Sequence, residues 1–201
     1  MSVFEHWPNR ITASRFVGAL ALFSIFAVYG AKPAETIRLE LHIAFWLFIV
    51  VASTDALDGY LARRDNQVSA FGRIADPFVD KVLIVGAMVY LATMPWSRGF
   101  MPATVVVLTL AREFLVTAIR GYVESVGREF PADGFGKFKM IMQCVTIGAV
   151  LCTQIVAWPP AFYAFLAFFA HAMVWTTLVA TVGSGITYSL RTRGVLLGEQ
   201  A

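Results

Sequence analysis

Asp55, Asp58, Asp76 and Asp80 are the residues of this chain best placed to do chemistry, and all four lie in or beside apolar stretches. Asp55 and Asp58 are three apart and Asp76 and Asp80 four apart, so on helices each pair projects from one face. An aspartate at the centre of a spanning helix costs about 2.5 to 3.5 kcal/mol on insertion scales, so four left unpaired would cost on the order of 10 kcal/mol. Crowded carboxylates also resist sharing their charge unless a cation sits among them. With no His or Cys nearby, such a donor set favours Mg2+, Mn2+ or Ca2+ over zinc. Gly59 leaves the backbone bare for a ligand, and Arg63, one turn on, carries a planar fork suited to phosphate oxygens. A second reading stays open: Arg63, Arg73 or Lys81 neutralises the aspartates without metal, and the glycines serve helix packing.

The elements that hold these residues follow from composition. A chain of 201 residues that is 58% hydrophobic and 14% charged reads as an integral membrane protein. Six segments, at 9–29, 40–62, 72–94, 102–124, 136–157 and 160–189, reach or approach the roughly 20 residues that cross a bilayer. The pattern predicts one all-α domain over 1–201, with six transmembrane helices, a polar metal-binding cavity open to the cytoplasmic side, and 1–8 as an interfacial lead-in. No cleavable leader is expected, because Arg10 and Arg15 open a first segment long enough to span.

Basic residues gather at alternate connections, namely Arg10 and Arg15, Arg63 to Arg73, Arg128 to Lys139, and Arg191 with Arg193. This predicts cytoplasmic termini, with Trp96 and Trp158 anchoring the opposite interface. The short connection from Arg64 to Phe71 predicts antiparallel neighbours in the second and third segments. Asp55 would then share a depth with Asp80, and Asp58 with Asp76, as two rungs one turn apart. Gly183 and Gly185 either interrupt the sixth segment or let another helix approach closely. Cys144 and Cys152 have neither metal nor disulfide spacing and read as packing residues.

Arg112 lies deep in the fourth segment, eight residues before Arg120 on the same helical face, while neighbouring Glu113 is expected on a different face. Lys137 and Lys139 open the fifth segment. Arg112 paired with one of the four aspartates, and the two lysines reaching out to headgroups, are the structural readings beside a binding role.

The run from Asp55 to Asp80, D-x2-D-G-x2-A-R-x8-G-x3-D-x3-D, matches every position of the signature of the CDP-alcohol phosphotransferases, and the chain resembles that family over nearly its whole length. Softer similarities lie at Asn9-Arg-Ile-Thr12-Ala-Ser-Arg15, at Ala75 to Lys81, at Ala111-Arg112-Glu113 with Arg120, and at Gly136-Lys137-Phe-Lys139. They are nearest to the branch that uses sn-glycerol 3-phosphate.

The resemblance implies a membrane enzyme, usually a homodimer, of a bacterial inner or plasma membrane. It would transfer the phosphatidyl group of CDP-diacylglycerol to sn-glycerol 3-phosphate, giving phosphatidylglycerol phosphate and CMP. It further implies Mg2+ or Mn2+ on Asp55, Asp58, Asp76 and Asp80, with Asp80 also the base that takes the acceptor's proton. Donor lipid would be bound by Asp55, Asp58, Gly59, Ala62, Arg63, Gly72 and Thr12, and acceptor phosphate by Arg112, Arg120, Lys137 and Lys139. A sister enzyme using inositol phosphate or another alcohol would differ only in the acceptor pocket. A divalent-cation transporter would need polar residues toward both leaflets, whereas here they gather near one, and no nucleic-acid role is expected.

Overall fold

The computed structural model describes residues 7–65, 70–128 and 134–196, with side chains for 9–54, 72, 74–128 and 134–195. The chain forms α1 (Trp7–Tyr29), a 3-10 turn (Ala34–Thr36), α2 (Arg38–Asp65), α3 (Ala70–Thr93), α4 (Ala103–Ser125), α5 (Gly134–Cys152) and α6 (Pro160–Leu196), with no strand among the described residues. Pro102 caps α4 and Pro160 opens α6, positions where a missing N–H costs a helix nothing. The six apolar segments thus correspond in order to six helices.

Three of them, Asn9–Tyr29, Gly134–Cys152 and Pro160–Val195, are long and apolar enough to cross a membrane. α3 and α4 interrupt their apolar runs with Asp76, Asp80 and Lys81, and with Arg112, Glu113 and Arg120.

α5 ends at Cys152, earlier than the expected 157, and α6 runs unbroken through Gly183 and Gly185, against the reading that they interrupt it. In an apolar setting no water competes for the helix hydrogen bonds, so glycine does not break them. Gly185 instead lets α4 come close: a Cβ there would stand 3.2 Å from Arg112 Cγ. The 37 residues of α6 span about 55 Å, well beyond the about 30 Å of a hydrocarbon core.

α6 lies against α4 and α5, α1 against α2 and α3, and α3 against α4 and α5. Among the described residues α2 and α3 touch little, while α1 packs on both. In lipid the tails are as apolar as the side chains they replace, so close fit rather than burial of apolar area holds the helices together. Leu22, Phe48, Met88, Ile147 and Val174 close a core shared by α1, α2, α3, α5 and α6, while Phe165, Phe168, Trp175 and Val179 of α6 face outward.

Gly18 sits under Val51, and Gly86 receives the ring of Phe23, which stacks on Tyr90 with centroids 5.6 Å apart. A β-branched side chain at 86 would drive that ring out of place. Gly86→Val should therefore lower stability by about 1 to 3 kcal/mol. The check is the melting midpoint in detergent, with Gly99→Ala, whose site has nothing within 4 Å, as the unaffected control. An unchanged midpoint for Gly86→Val would contradict the close approach.

At the helix ends far from Asp76 and Asp80, Trp96 donates to the Gly30 carbonyl at 3.2 Å and Trp158 to that of Cys152 at 2.8 Å. Both indoles thereby satisfy carbonyls that a helix end leaves open. Cys144 and Cys152 are free thiols.

Candidate active site

Asp76 and Asp80 lie one turn apart on α3, partly exposed, with Pro77 between them. Pro77 has no N–H to give the helix, so one carbonyl in the preceding turn is released beside the aspartates. The partners of both carboxylates come from α1. Thr12 Oγ1 donates to Asp76 Oδ1, and Arg15 Nη2 pairs with Asp80 Oδ1. Thr12 and Arg15 are three residues apart, hence on one face of α1, and both are buried.

The cations of the alternative, metal-free reading take another role or lie outside the described residues. Lys81 reaches across to Thr117 Oγ1 of α4 at 2.5 Å. The side chains of Arg63 and Arg73 lie outside the described residues. So do those of Asp55, Asp58 and Ala62, together with the surroundings of Gly59, which puts the expected two-rung arrangement beyond the described residues. Gly72 is buried in the first turn of α3. Among the described residues no three Asp, Glu, His or Cys side chains gather as a bound metal needs.

A second polar centre forms where α4, α5 and α6 meet. Glu113 Oε1 accepts from Arg112 Nη1 at 3.1 Å and from Lys139 Nζ, and the three side chains are each no more than 9% exposed. Arg112 Nε donates to Ser184 Oγ at 3.0 Å, and the guanidinium lies 5.5 Å from the centroid of the Tyr188 ring. The Tyr188 hydroxyl accepts from Arg120 Nη2 at 3.2 Å, so one aromatic ring ties the two α4 arginines together.

Two readings of the sequence are corrected here. Glu113 does not face away from Arg112: a step of about 100° along the helix is within the reach of an arginine side chain, which bends back to its neighbour. Among the described residues Arg112 also pairs with Glu113 and not with Asp76 or Asp80. Lys137 and Lys139 also part company, Lys137 exposed and Lys139 buried. Two residues apart on a helix lie about 200° around its axis.

Glu113, Arg15, Ser184 and Tyr188 were not singled out as site residues from the sequence. Glu113 did carry a signal, since a lone carboxylate in an apolar helix interior is a functional candidate by default. Ser184 and Tyr188 carried none, being two hydroxyl-bearing residues in a helix with many. A hollow of about 360 Å³ between α4 and α6 is lined by Leu108, Leu115, Val182 and Ile186, with Arg112 and Ser189 as its polar members. So apolar a lining has the wrong chemistry for a charged ligand.

The family model described as CDP-alcohol phosphatidyltransferase matches residues 5–183. The chain belongs to the CDP-alcohol phosphatidyltransferase family. Family members from several bacteria align with two thirds or more of its length, two of them almost end to end. A Bacillus subtilis protein named "CDP-diacylglycerol--glycerol-3-phosphate 3-phosphatidyltransferase" is 32% identical over 194 residues, covering 90% of this chain and 92% of its own. A Haemophilus influenzae protein of the same name is 28% identical over 192 residues, covering 94% and 95%. A Rickettsia bellii relative, also of that name, is 30% identical over 151 residues, covering 75% and 77%.

Proposed function

We propose that this chain transfers the phosphatidyl group of CDP-diacylglycerol to sn-glycerol 3-phosphate, forming phosphatidylglycerol phosphate and releasing CMP. The observation that carries this reading is the near end-to-end alignment with relatives named for that reaction. The buried cluster of Arg112, Lys139 and Glu113 supports it independently, because an excess of positive charge in an apolar interior suits a phosphorylated acceptor and not a neutral alcohol.

In this reading the chain spans a bacterial inner or plasma membrane six times as one domain, with both termini cytoplasmic, and works as a homodimer. The alternating basic connections and the family resemblance support that placement.

Asp76 and Asp80 offer hard oxygen donors one turn apart and accessible from outside the helix, a donor set that fits Mg2+ or Mn2+ and not zinc. Asp55, Asp58, Asp76 and Asp80 would hold that ion, which when bound supplies positive charge to the donor's diphosphate. Thr12 and Arg63 bind donor oxygens. Gly59, Ala62 and Gly72 keep the flanking helix faces low enough for the headgroup to approach.

Arg112, Arg120 and Lys139 hold the acceptor's phosphate, with exposed Lys137 adding charge on the solvent side. Asp80 takes the proton from the acceptor hydroxyl as that oxygen bonds to the lipid-bearing β-phosphorus and the bond to the CMP oxygen breaks. Orientation and charge neutralisation carry most of the barrier lowering in such a transfer.

Purified protein should release CMP from CDP-diacylglycerol when given sn-glycerol 3-phosphate, and not when given serine, free glycerol or inositol phosphate. EDTA should stop the release, and added Mg2+ or Mn2+ should restore it. Release with inositol phosphate in place of sn-glycerol 3-phosphate would move the chain to the sister activity.

A further inference from the structure

We propose that Glu113 is a positioning residue for the acceptor's phosphate, its single oxygen Oε1 gathering Arg112 from α4 and Lys139 from α5 into one two-cation fork. The inference deepens the transfer reaction proposed above and rests on it. A buried charge without a counter-ion costs free energy, so a buried cluster with a surplus cation is stabilised by a further anion. Here one carboxylate serves two cations, all three side chains at least nine-tenths buried, so the trio keeps a net positive charge.

More cations stand around it. Arg120 joins through Tyr188, and Lys81 through the Thr117 hydroxyl, which itself donates to the Glu113 carbonyl at 2.7 Å. Among the described residues, Glu113 is the carboxylate bonded to Arg112 and Lys139, while the nearby Asp80 pairs with Arg15. The trio of Arg112, Lys139 and Glu113 carries one more cation than carboxylate, a surplus that one more anion would balance.

The guanidinium of Arg112 points the same way. Nε is taken by Ser184 and Nη1 by Glu113, while Nη2 has no hydrogen bond among the described residues. Its plane is held by contacts on two edges and by the Tyr188 ring near its face, which leaves one edge for a ligand. Glu113 sets where that edge points. It also fixes the Lys139 ammonium, whose long flexible stem would otherwise spread the charge over many positions. Without the carboxylate the two cations repel, and neither keeps its place.

The test is steady-state kinetics of purified Glu113→Gln and Glu113→Asp beside wild type, with CDP-diacylglycerol and sn-glycerol 3-phosphate varied in turn. For Glu113→Gln the acceptor KM should rise about 10- to 100-fold, the cost of a displaced positioning group. kcat should change far less, and the donor KM should hold. Glu113→Asp keeps the charge on a shorter stem and should fall between wild type and Glu113→Gln.

A merely structural glutamate would behave differently, lowering the melting midpoint and the active fraction while leaving KM for the remaining enzyme untouched. That pattern, an unchanged acceptor KM, or an aspartate variant no better than the glutamine one would overturn the proposal. If Glu113→Gln does not fold, the acceptor KM of Glu113→Asp decides alone, and a wild-type value refutes the role. Wild type inactive with sn-glycerol 3-phosphate but active with another phosphorylated alcohol would sink the functional reading instead, and the same variants would then be read with that alcohol.

Discussion

Asp80→Asn is expected to cut CMP release by roughly 10^2- to 10^4-fold, the range a general base contributes. The amide matches the carboxylate in size and keeps an oxygen for ligation, so donor binding should largely survive, but it cannot take up the acceptor's proton. The substitution also removes an anionic partner of Arg15, whose side chain is 2% exposed. Asp80 is partly exposed, so the cost falls below the about 3 to 5 kcal/mol of a fully buried pair, and turnover must still be read beside a melting curve. Rate loss in protein that is still folded, still retains CDP-diacylglycerol and is not restored by excess Mg2+ or Mn2+ assigns the effect to the proton. A wild-type rate removes Asp80 from the chemistry.

The second large effect is expected at Arg112. Replacing it with Gln should weaken acceptor binding by about 2 to 5 kcal/mol, or roughly 30- to 4,000-fold in affinity, with the donor KM unchanged. Folding should tolerate the change better than a buried charge usually allows, because Glu113 keeps Lys139 as its partner. Arg112→Lys should restore only part of the loss. An ammonium cannot reproduce separate bonds from Nε to Ser184 and from Nη1 to Glu113, nor the flat contact with Tyr188. A defect confined to the donor KM would remove Arg112 from the acceptor site.

These predictions use residues that were visible in the chain before any fold was known, and others that were not. The aspartates declared themselves because carboxylates in apolar surroundings are costly and their spacing of three and four is a helical one. Arg112 stood out for the same reason. The helices were equally legible, since stretches of about 20 apolar residues punctuated by proline and charge leave the backbone little alternative. Of the two readings open for Gly183 and Gly185, interruption fails and close approach holds, because glycine is a helix breaker mainly where water can take over its hydrogen bonds.

The sequence by itself therefore determined the helical elements, the aspartate motif and the supply of cations, because local periodicity and the cost of charge in lipid are properties of single segments. Only the tertiary structure decided who partners whom. Arg15 meets Asp80 across 65 residues and Arg112 meets Ser184 across 72, contacts set by which faces of α1, α3, α4 and α6 come together. It also decided that Lys139 turns inward to Glu113 while Lys137 stays outside. Helical spacing separates the two lysines, but which one faces inward depends on where the neighbouring helices lie, and no stretch of sequence encodes that alone.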